Sequence, residues 1–352
     1  MPREVAEGWT VVEYRTLGRT GMTVSTVCLG TMMFGSWGNR DEAECRRIVD
    51  LALDRGVNFI DTADVYDFGT SEEILGSALG GRRDDVVLAT KFHNAMDADP
   101  NHRGSSRRWI MKAVDDSLRR LRTDWIDLYQ VHRPDPATDI DETLGALSDL
   151  VHSGKVRAIG TSTFPADELV EAAWVAERRG RERFATEQPP YSIFARGIER
   201  DVLPVAERLG LGVLVWAPLN GGWLSGKYRR GTEPPVGSRA EREREHFDWG
   251  KPAAARKLEL VESLGALAGE VGCPLAHLAV SFTLAHRAVT SAIVGPRTSE
   301  QLKDLLGAES LVLDDSVLDR IDELVPPGTN LNPANAGYDP PSLVDPGLRR
   351  RR

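Results

Sequence analysis

The 352-residue sequence is poor in cysteine, lacks long apolar runs and carries no surplus of positive charge. Each shortage removes a class of protein. The three cysteines, Cys28, Cys45 and Cys273, are odd in number, far apart and form no CxxC pair. That excludes a disulfide framework and fits a reducing, cytoplasmic compartment. No apolar stretch approaches the ~18 residues of a membrane span, and the opening MPREVAEGWTVVEYR lacks the apolar core of a signal peptide. Lys and Arg number 44 against 53 Asp and Glu, a formal net charge of −9. Broad electrostatic binding to nucleic acid or to an anionic membrane is therefore not expected. The seven histidines show neither H-x-H nor HExxH spacing, so no metal site is expected. A G-x-G-x-x-G turn is also missing, and with it the usual mark of a doubly wound dinucleotide-binding sheet.

What is present is a rhythm. Residues 15–26 read as a hairpin, two short strand-like pieces around a Gly/Thr-rich turn. Eight β-like runs follow, at 27–30, 58–61, 85–90, 126–132, 157–162, 184–188, 212–218 and 291–295. Amphipathic helical segments lie between or after them at 41–55, 71–79, 107–122, 140–153, 166–179, 198–209, 253–271, 274–286 and 299–306. Strands alternating with helices imply parallel βαβ units, because a parallel neighbour needs a crossover connection. Eight such units predict a single (β/α)8 barrel over residues 14–326. The polar stretch 228–252 reads as a long loop after the seventh strand, and the Pro/Gly-rich residues 327–352 as a tail that drapes over the surface or stays flexible.

A barrel of this kind builds its active site at the C-terminal ends of its strands. The second run ends in Asp61, with Tyr66 five residues on; the third leads into Lys91 and the fourth ends in His132. Singly, each has a plain structural use: a turn-forming aspartate, a packing tyrosine, a solvated lysine, a satisfied core histidine. Together they deliver a carboxylate, a phenol, an ammonium and an imidazole to one cavity. A free tyrosine titrates near ~10 and is a poor acid. The ammonium is expected to lower that value, the carboxylate to hold the ammonium, and the imidazole to orient a carbonyl.

With these residues in place the sequence resembles the aldo-keto reductase family, in the branch that also holds potassium-channel β-subunit-like proteins. The likeness runs over residues 14–326 through LGRTGMTVSTVCLGTMMFG, FIDTADVY, LATK, YQVHRPD, IGTSTF, EQPPYSIF, VWAPLNGGWLSGKY and IVGPRTSEQL, in the family's order. It implies a catalytic tetrad of Asp61, Tyr66, Lys91 and His132. It also implies an extended NADPH (NADP+) as cofactor. Ser162 and Gln188 match the positions that hold the nicotinamide carboxamide, and Trp216 the one on which the ring stacks. Pro218, Leu219, Gly221, Gly222 and Lys227 match the turn that approaches the pyrophosphate. Gly295, Arg297, Gln301 and Asp304 match the adenosine end, Arg297 and Gln301 at the 2′-phosphate. Arg297 precedes the last predicted helix, whose dipole and free N–H groups favour an anion. Thr163 stands where the family often has Asn, and Leu305 where it commonly has Asn.

The expected reaction is NADPH-dependent reduction of an aldehyde or ketone, with Tyr66 as proton donor. The substrate would enter past Phe34 and Trp37. Two other readings compete with it: a regulatory subunit that holds the nucleotide without turnover, and a lyase using Lys91 as a Schiff base, which a permanently paired lysine serves poorly. Physiological substrate and oligomeric state are not legible in the chain.

Overall fold

The computed structural model describes residues 12–242, 247–248 and 251–351. The expectations for the first 11 residues, for the middle of the 228–252 loop and for the final arginine fall outside them. The predicted hairpin forms from β1 (Tyr14–Thr16) and β2 (Thr23–Ser25). The barrel strands are β3 (Val27–Gly30), β4 (Phe59–Asp61), β5 (Val87–Phe92), β6 (Ile126–Val131), β7 (Val156–Ser162), β8 (Thr186–Gln188), β9 (Gly212–Val215) and β10 (Val289–Val294). All pair in parallel, in the order β10-β3-β4-β5-β6-β7-β8-β9, and close on themselves. The (β/α)8 barrel expected from the repeat is therefore the fold.

The outer ring carries α1 (Glu42–Asp54), α2 (Thr70–Leu79), α3 (Arg107–Leu121), α4 (Ile140–His152), α5 (Ala166–Arg179) and α6 (Val202–Leu209). Farther along lie α7 (Arg239–Arg242), α8 (Pro252–Val271), α9 (Leu275–Ala285), α10 (Ser299–Leu305), α11 (Asp315–Leu324) and α12 (Pro341–Val344). Helix α11 was not anticipated, although Asp314 caps it through Val317 N and Ile321 is fully buried. Its partner signal lies far away in sequence: Arg196 donates to Asp322 at 2.6 Å and to Val325 O at 2.7 Å. Downstream of it the chain runs back across the barrel. Arg196 N donates to Thr329 O, and Leu331 N to Phe194 O.

Side chains alternate along a strand, so residues two apart share a face. Leu17 and Val24 from the hairpin pack with Cys28, Phe59, Ala89, Leu128, Ala158 and Leu214 in a small apolar cluster of their own. This plug fills the bottom of the barrel. Gly18 makes the hairpin turn possible: its φ is +53°, and a Cβ there would lie 2.5 Å from Ala185 O. Two residues beyond the plug, the same inward rows become polar: Asp61 follows Phe59, Lys91 follows Ala89, Gln130 follows Leu128, and Trp216 follows Leu214. A separate, larger apolar cluster lies between strands and helices.

Candidate active site

The polar layer is held together by one carboxylate. Lys91 Nζ donates to Asp61 Oδ1 at 2.5 Å, to Thr62 O at 2.8 Å and to Tyr66 Oη at 3.3 Å. Asp61 Oδ2 accepts from Gln188 Nε2 at 2.9 Å and from Gln130 Nε2 at 3.2 Å. The pair is dry, with side-chain exposures of 0% for Lys91 and 3% for Asp61. Burial alone would neutralise Lys91, but Asp61 and Tyr66 outweigh it and keep its pKa above the usual value. The lysine is thus a fixed ammonium, which is poor chemistry for a Schiff base.

Tyr66 opens a short 3-10 segment, Tyr66–Gly69, in which Asp67 and Phe68 take φ of 48° and 53°. Such left-handed residues cost of order 1–3 kcal/mol each. The loop is braced by Asp67, which accepts from Ser36 N at 2.6 Å and Ser36 Oγ at 2.5 Å. The expectation that the ammonium would lower the Tyr66 pKa is corrected by the balance of forces. Burial pushes it above 10.0 more strongly than Lys91 and Arg133 pull it down, and Asp61 adds to the rise. Tyr66 therefore keeps its proton at neutral pH.

His132 stands edge-on to Tyr66, ring centroids 5.8 Å apart at 81°. Its pKa lies well below 6.5, because burial, Lys91, Arg133 and His93 all oppose the charged form. The ring is neutral. Asn94 Nδ2 faces His132 Nδ1 at 3.1 Å; an amide NH2 can only donate, so Nδ1 accepts and Nε2 carries the hydrogen. Asn94, Gln130 and Arg133 were missed by sequence reading. Gln130 was within its reach, since it lies two residues before His132 on the same inward row.

The other expected residues fall in different places. Trp37 packs near Tyr66, centroids 6.3 Å apart. Phe34 is corrected: it is 0% exposed and belongs to the core, so it supports the loop and does not face a substrate. Ser162 donates to Gln188 O at 2.9 Å, and Gln188 turns its NH2 toward Asp61, leaving its carbonyl oxygen as the acceptor for a ligand. Trp216 is half-buried after β9, where Gly337 presses on its edge: a Cβ on Gly337 would lie 2.9 Å from Trp216 Cζ2. Pro218 is buried, Leu219 half-buried and Lys227 exposed around the turn containing Gly221 (φ 67°) and Gly222 (φ 100°).

At the last strand, Gly295 is exposed and Arg297 half-buried. Gln301 Oε1 accepts from Arg297 N at 2.9 Å, and Asp304 faces His277 Nε2 at 3.2 Å. The expectation of free N–H groups at the start of α10 is met only in part. Ser299 N donates to Glu44 Oε1 at 2.6 Å, and Gln301 N to Thr298 Oγ1 at 3.3 Å. A carboxylate already sits there, which leaves the Arg297 guanidinium as the charged group open to an anion at this end.

Backbone strain marks the same rim. Asp67, Phe68, His93, Thr163, Ala217 and Asn220 have positive φ and all follow barrel strands; Arg122, the other such residue that is not glycine, caps a helix.

Comparison with known proteins places the chain in a family. The model of the aldo/keto reductase family matches residues 26–326. An uncharacterized oxidoreductase, YrpG, of Bacillus subtilis is 41% identical over 327 residues, covering 90% of this chain and 96% of its own. The aldo-keto reductase YhdN of the same organism is 38% identical, covering 84% and 88%. A probable voltage-gated potassium channel subunit beta of Arabidopsis thaliana is 35% identical, covering 89% and 97%. Among the described residues no single helix is long and apolar enough to cross a membrane.

Proposed function

The chain belongs to the aldo/keto reductase family, and from that premise we propose that it reduces aldehydes or ketones to alcohols with NADPH, Tyr66 giving the proton. The observation that carries this reading is the hydrogen-bonded chain Asp61–Lys91–Tyr66 beside a neutral His132. Residues 14–326 would carry the activity and 327–352 form an appended tail.

The rim residues fit a nicotinamide nucleotide. Trp216 offers a flat half-buried ring. Gly221 and Gly222 leave a concave backbone in which a Cβ would meet only Arg239 Nη1 at 3.6 Å or Tyr228 Oη at 3.8 Å. Arg297 supplies a cation for the 2′-phosphate. When bound, NADPH would supply the hydride; the protein's own residues do the rest. His132 Nε2–H and the Tyr66 hydroxyl donate to the carbonyl oxygen and orient it. As negative charge builds on that oxygen, Lys91 stabilises it through Tyr66. An alkoxide is far more basic than a phenolate, so Tyr66 transfers its proton downhill even with its pKa raised. Gln188 and Gln130 hold Asp61 in place, and Asp61 holds Lys91.

A second reading, a nucleotide-binding subunit with little turnover, is favoured by the likeness to the Arabidopsis protein. One substitution separates the two. Tyr66→Phe should lower NADPH-dependent turnover of 4-nitrobenzaldehyde by about 100- to 10,000-fold, while NADPH still quenches tryptophan fluorescence with unchanged affinity. Turnover surviving in Tyr66→Phe removes Tyr66 as the acid. Tight NADPH binding with no turnover by the wild type favours the second reading.

A further inference from the structure

We propose that Arg133 binds a carboxylate on the substrate, so that the preferred carbonyl compounds are acids carrying an aldehyde or ketone a short chain or one ring away. The inference rests on the reductase reading above and extends it to substrate class.

Arg133 directly follows His132, and its guanidinium carbon lies 5.9 Å from the Trp216 ring centroid. It therefore spans the mouth between the imidazole and the indole. A single nitrogen anchors it: Nη1 donates to His132 O at 2.6 Å, to Thr163 Oγ1 at 3.2 Å and to Ser162 Oγ at 3.5 Å. No hydrogen bond engages Nε or Nη2, and neither is among the sealed, unpartnered atoms of the interior. Two donors of the fork are left facing the cleft, the geometry that suits a carboxylate.

The charge balance points the same way. Among the described residues no carboxylate lies within ion-pair distance of Arg133, whereas Asp61 is already neutralised by Lys91 at 2.5 Å. Glu187, which interacts with Arg133 only through space, is buried and has its oxygens engaged by Thr161 Oγ1 at 2.6 Å and Phe164 N at 3.1 Å. Tyr66 and His132 are neutral. An acidic chain of net charge −9 thus presents, among the described residues, a guanidinium with no ion-pair partner beside the site. Burial already disfavours the charged guanidinium; an incoming anion offsets that cost, and a neutral substrate does not.

The test compares 3- and 4-carboxybenzaldehyde with their methyl esters, using NADPH and the whole chain as wild type, Arg133→Gln and Arg133→Lys. Wild type should favour each acid over its ester by at least about 10-fold in kcat/KM. Arg133→Gln should cut the acids by about 10- to 100-fold, mostly through KM, and leave the esters within about 3-fold. Arg133→Lys should recover part of the loss. Equal handling of acid and ester by the wild type overturns the proposal, as does an equal loss on both in Arg133→Gln, the mark of a residue that only positions Ser162 and Thr163. If the wild type reduces nothing, binding decides. Preference for 4-(hydroxymethyl)benzoate over its methyl ester, read by tryptophan fluorescence with NADP+ present and lost in Arg133→Gln, keeps the anion site although the reductase reading fails. No such preference overturns it.

Discussion

Removing the charge of Lys91 should cost stability as well as turnover, and the structure sets the size. Lys91→Met leaves Asp61 without its counter-charge in a site where its side chain is 3% exposed. Stranding one partner of a buried pair costs about 3–5 kcal/mol. Asp61 keeps two amide donors, Gln188 at 2.9 Å and Gln130 at 3.2 Å, which places the expected loss near the lower end, about 3 kcal/mol. For a chain of this length that is a fall in Tm of about 4 °C. Asp61→Asn should cost a similar amount, because Lys91 then keeps only neutral acceptors, the amide oxygen, Thr62 O and Tyr66 Oη. The double variant carries no buried charge and should be less destabilised than the two losses added, with a coupling of about 2–3 kcal/mol. Urea denaturation followed by tryptophan fluorescence measures all four proteins. A coupling below about 0.5 kcal/mol would refute the view that these two side chains form one buried ion pair. Turnover should be lost in all three variants, so stability and activity must be measured separately.

Two further outcomes follow from the electrostatics. Glu187 is raised from 4.5 to about 7, by burial that outweighs its hydrogen bonds from Thr161 and Phe164 N. A carboxyl whose folded pKa is raised stabilises relative to its ionised state below pH 4.5, and loses about 3 kcal/mol as pH climbs through about 7. In Glu187→Gln the amide oxygen still accepts from Phe164 N and the NH2 can donate to Thr161, so the variant should gain about 3 kcal/mol on the wild type between pH 5 and pH 8.5 in urea titrations; a pH-independent difference counts against it. Arg297→Ala should weaken NADPH binding about 10- to 100-fold and NADH binding by less than about 3-fold, since α10 offers the 2′-phosphate little besides this guanidinium. Unchanged preference would remove Arg297 from the cofactor site.

The barrel was legible because its signal is local: each apolar run and each amphipathic segment announces itself within a few residues. That Asp61, Tyr66, Lys91 and His132 meet at one rim was legible for the same reason, since strand ends converge at the mouth of a barrel. Helix α11 escaped because its docking partner, Arg196, lies over a hundred positions upstream. Phe34 was misplaced because an aromatic in a rim loop looks the same in sequence whether it faces the cleft or the core. Gln130 could have been found by stepping back two residues from His132. The direction of the Tyr66 shift could not, because it depends on how dry the site is, and desolvation is a property of the packed molecule. Nor could the Glu44 carboxylate at the start of α10, brought there from a helix on the far side of the chain.

Desolvation also explains why the site is suited to reduction. Burial holds Tyr66 as a phenol, His132 as a neutral imidazole and Glu187 partly protonated at neutral pH. Asp61 and Lys91 pair within 2.5 Å, and Arg133 lies apart from them beside Trp216. The resting mouth therefore sets two neutral donors, Tyr66 Oη–H and His132 Nε2–H, in front of the Lys91 ammonium. Negative charge forming on a carbonyl oxygen is a change such a site stabilises, because the donors and the ammonium behind them are already in place and little must reorganise. A general base for the reverse direction would need Tyr66 ionised, and burial opposes that. In the proposed reaction the upward shift on Tyr66, which overturned the expectation from sequence, is thus what would keep the proton in place for transfer.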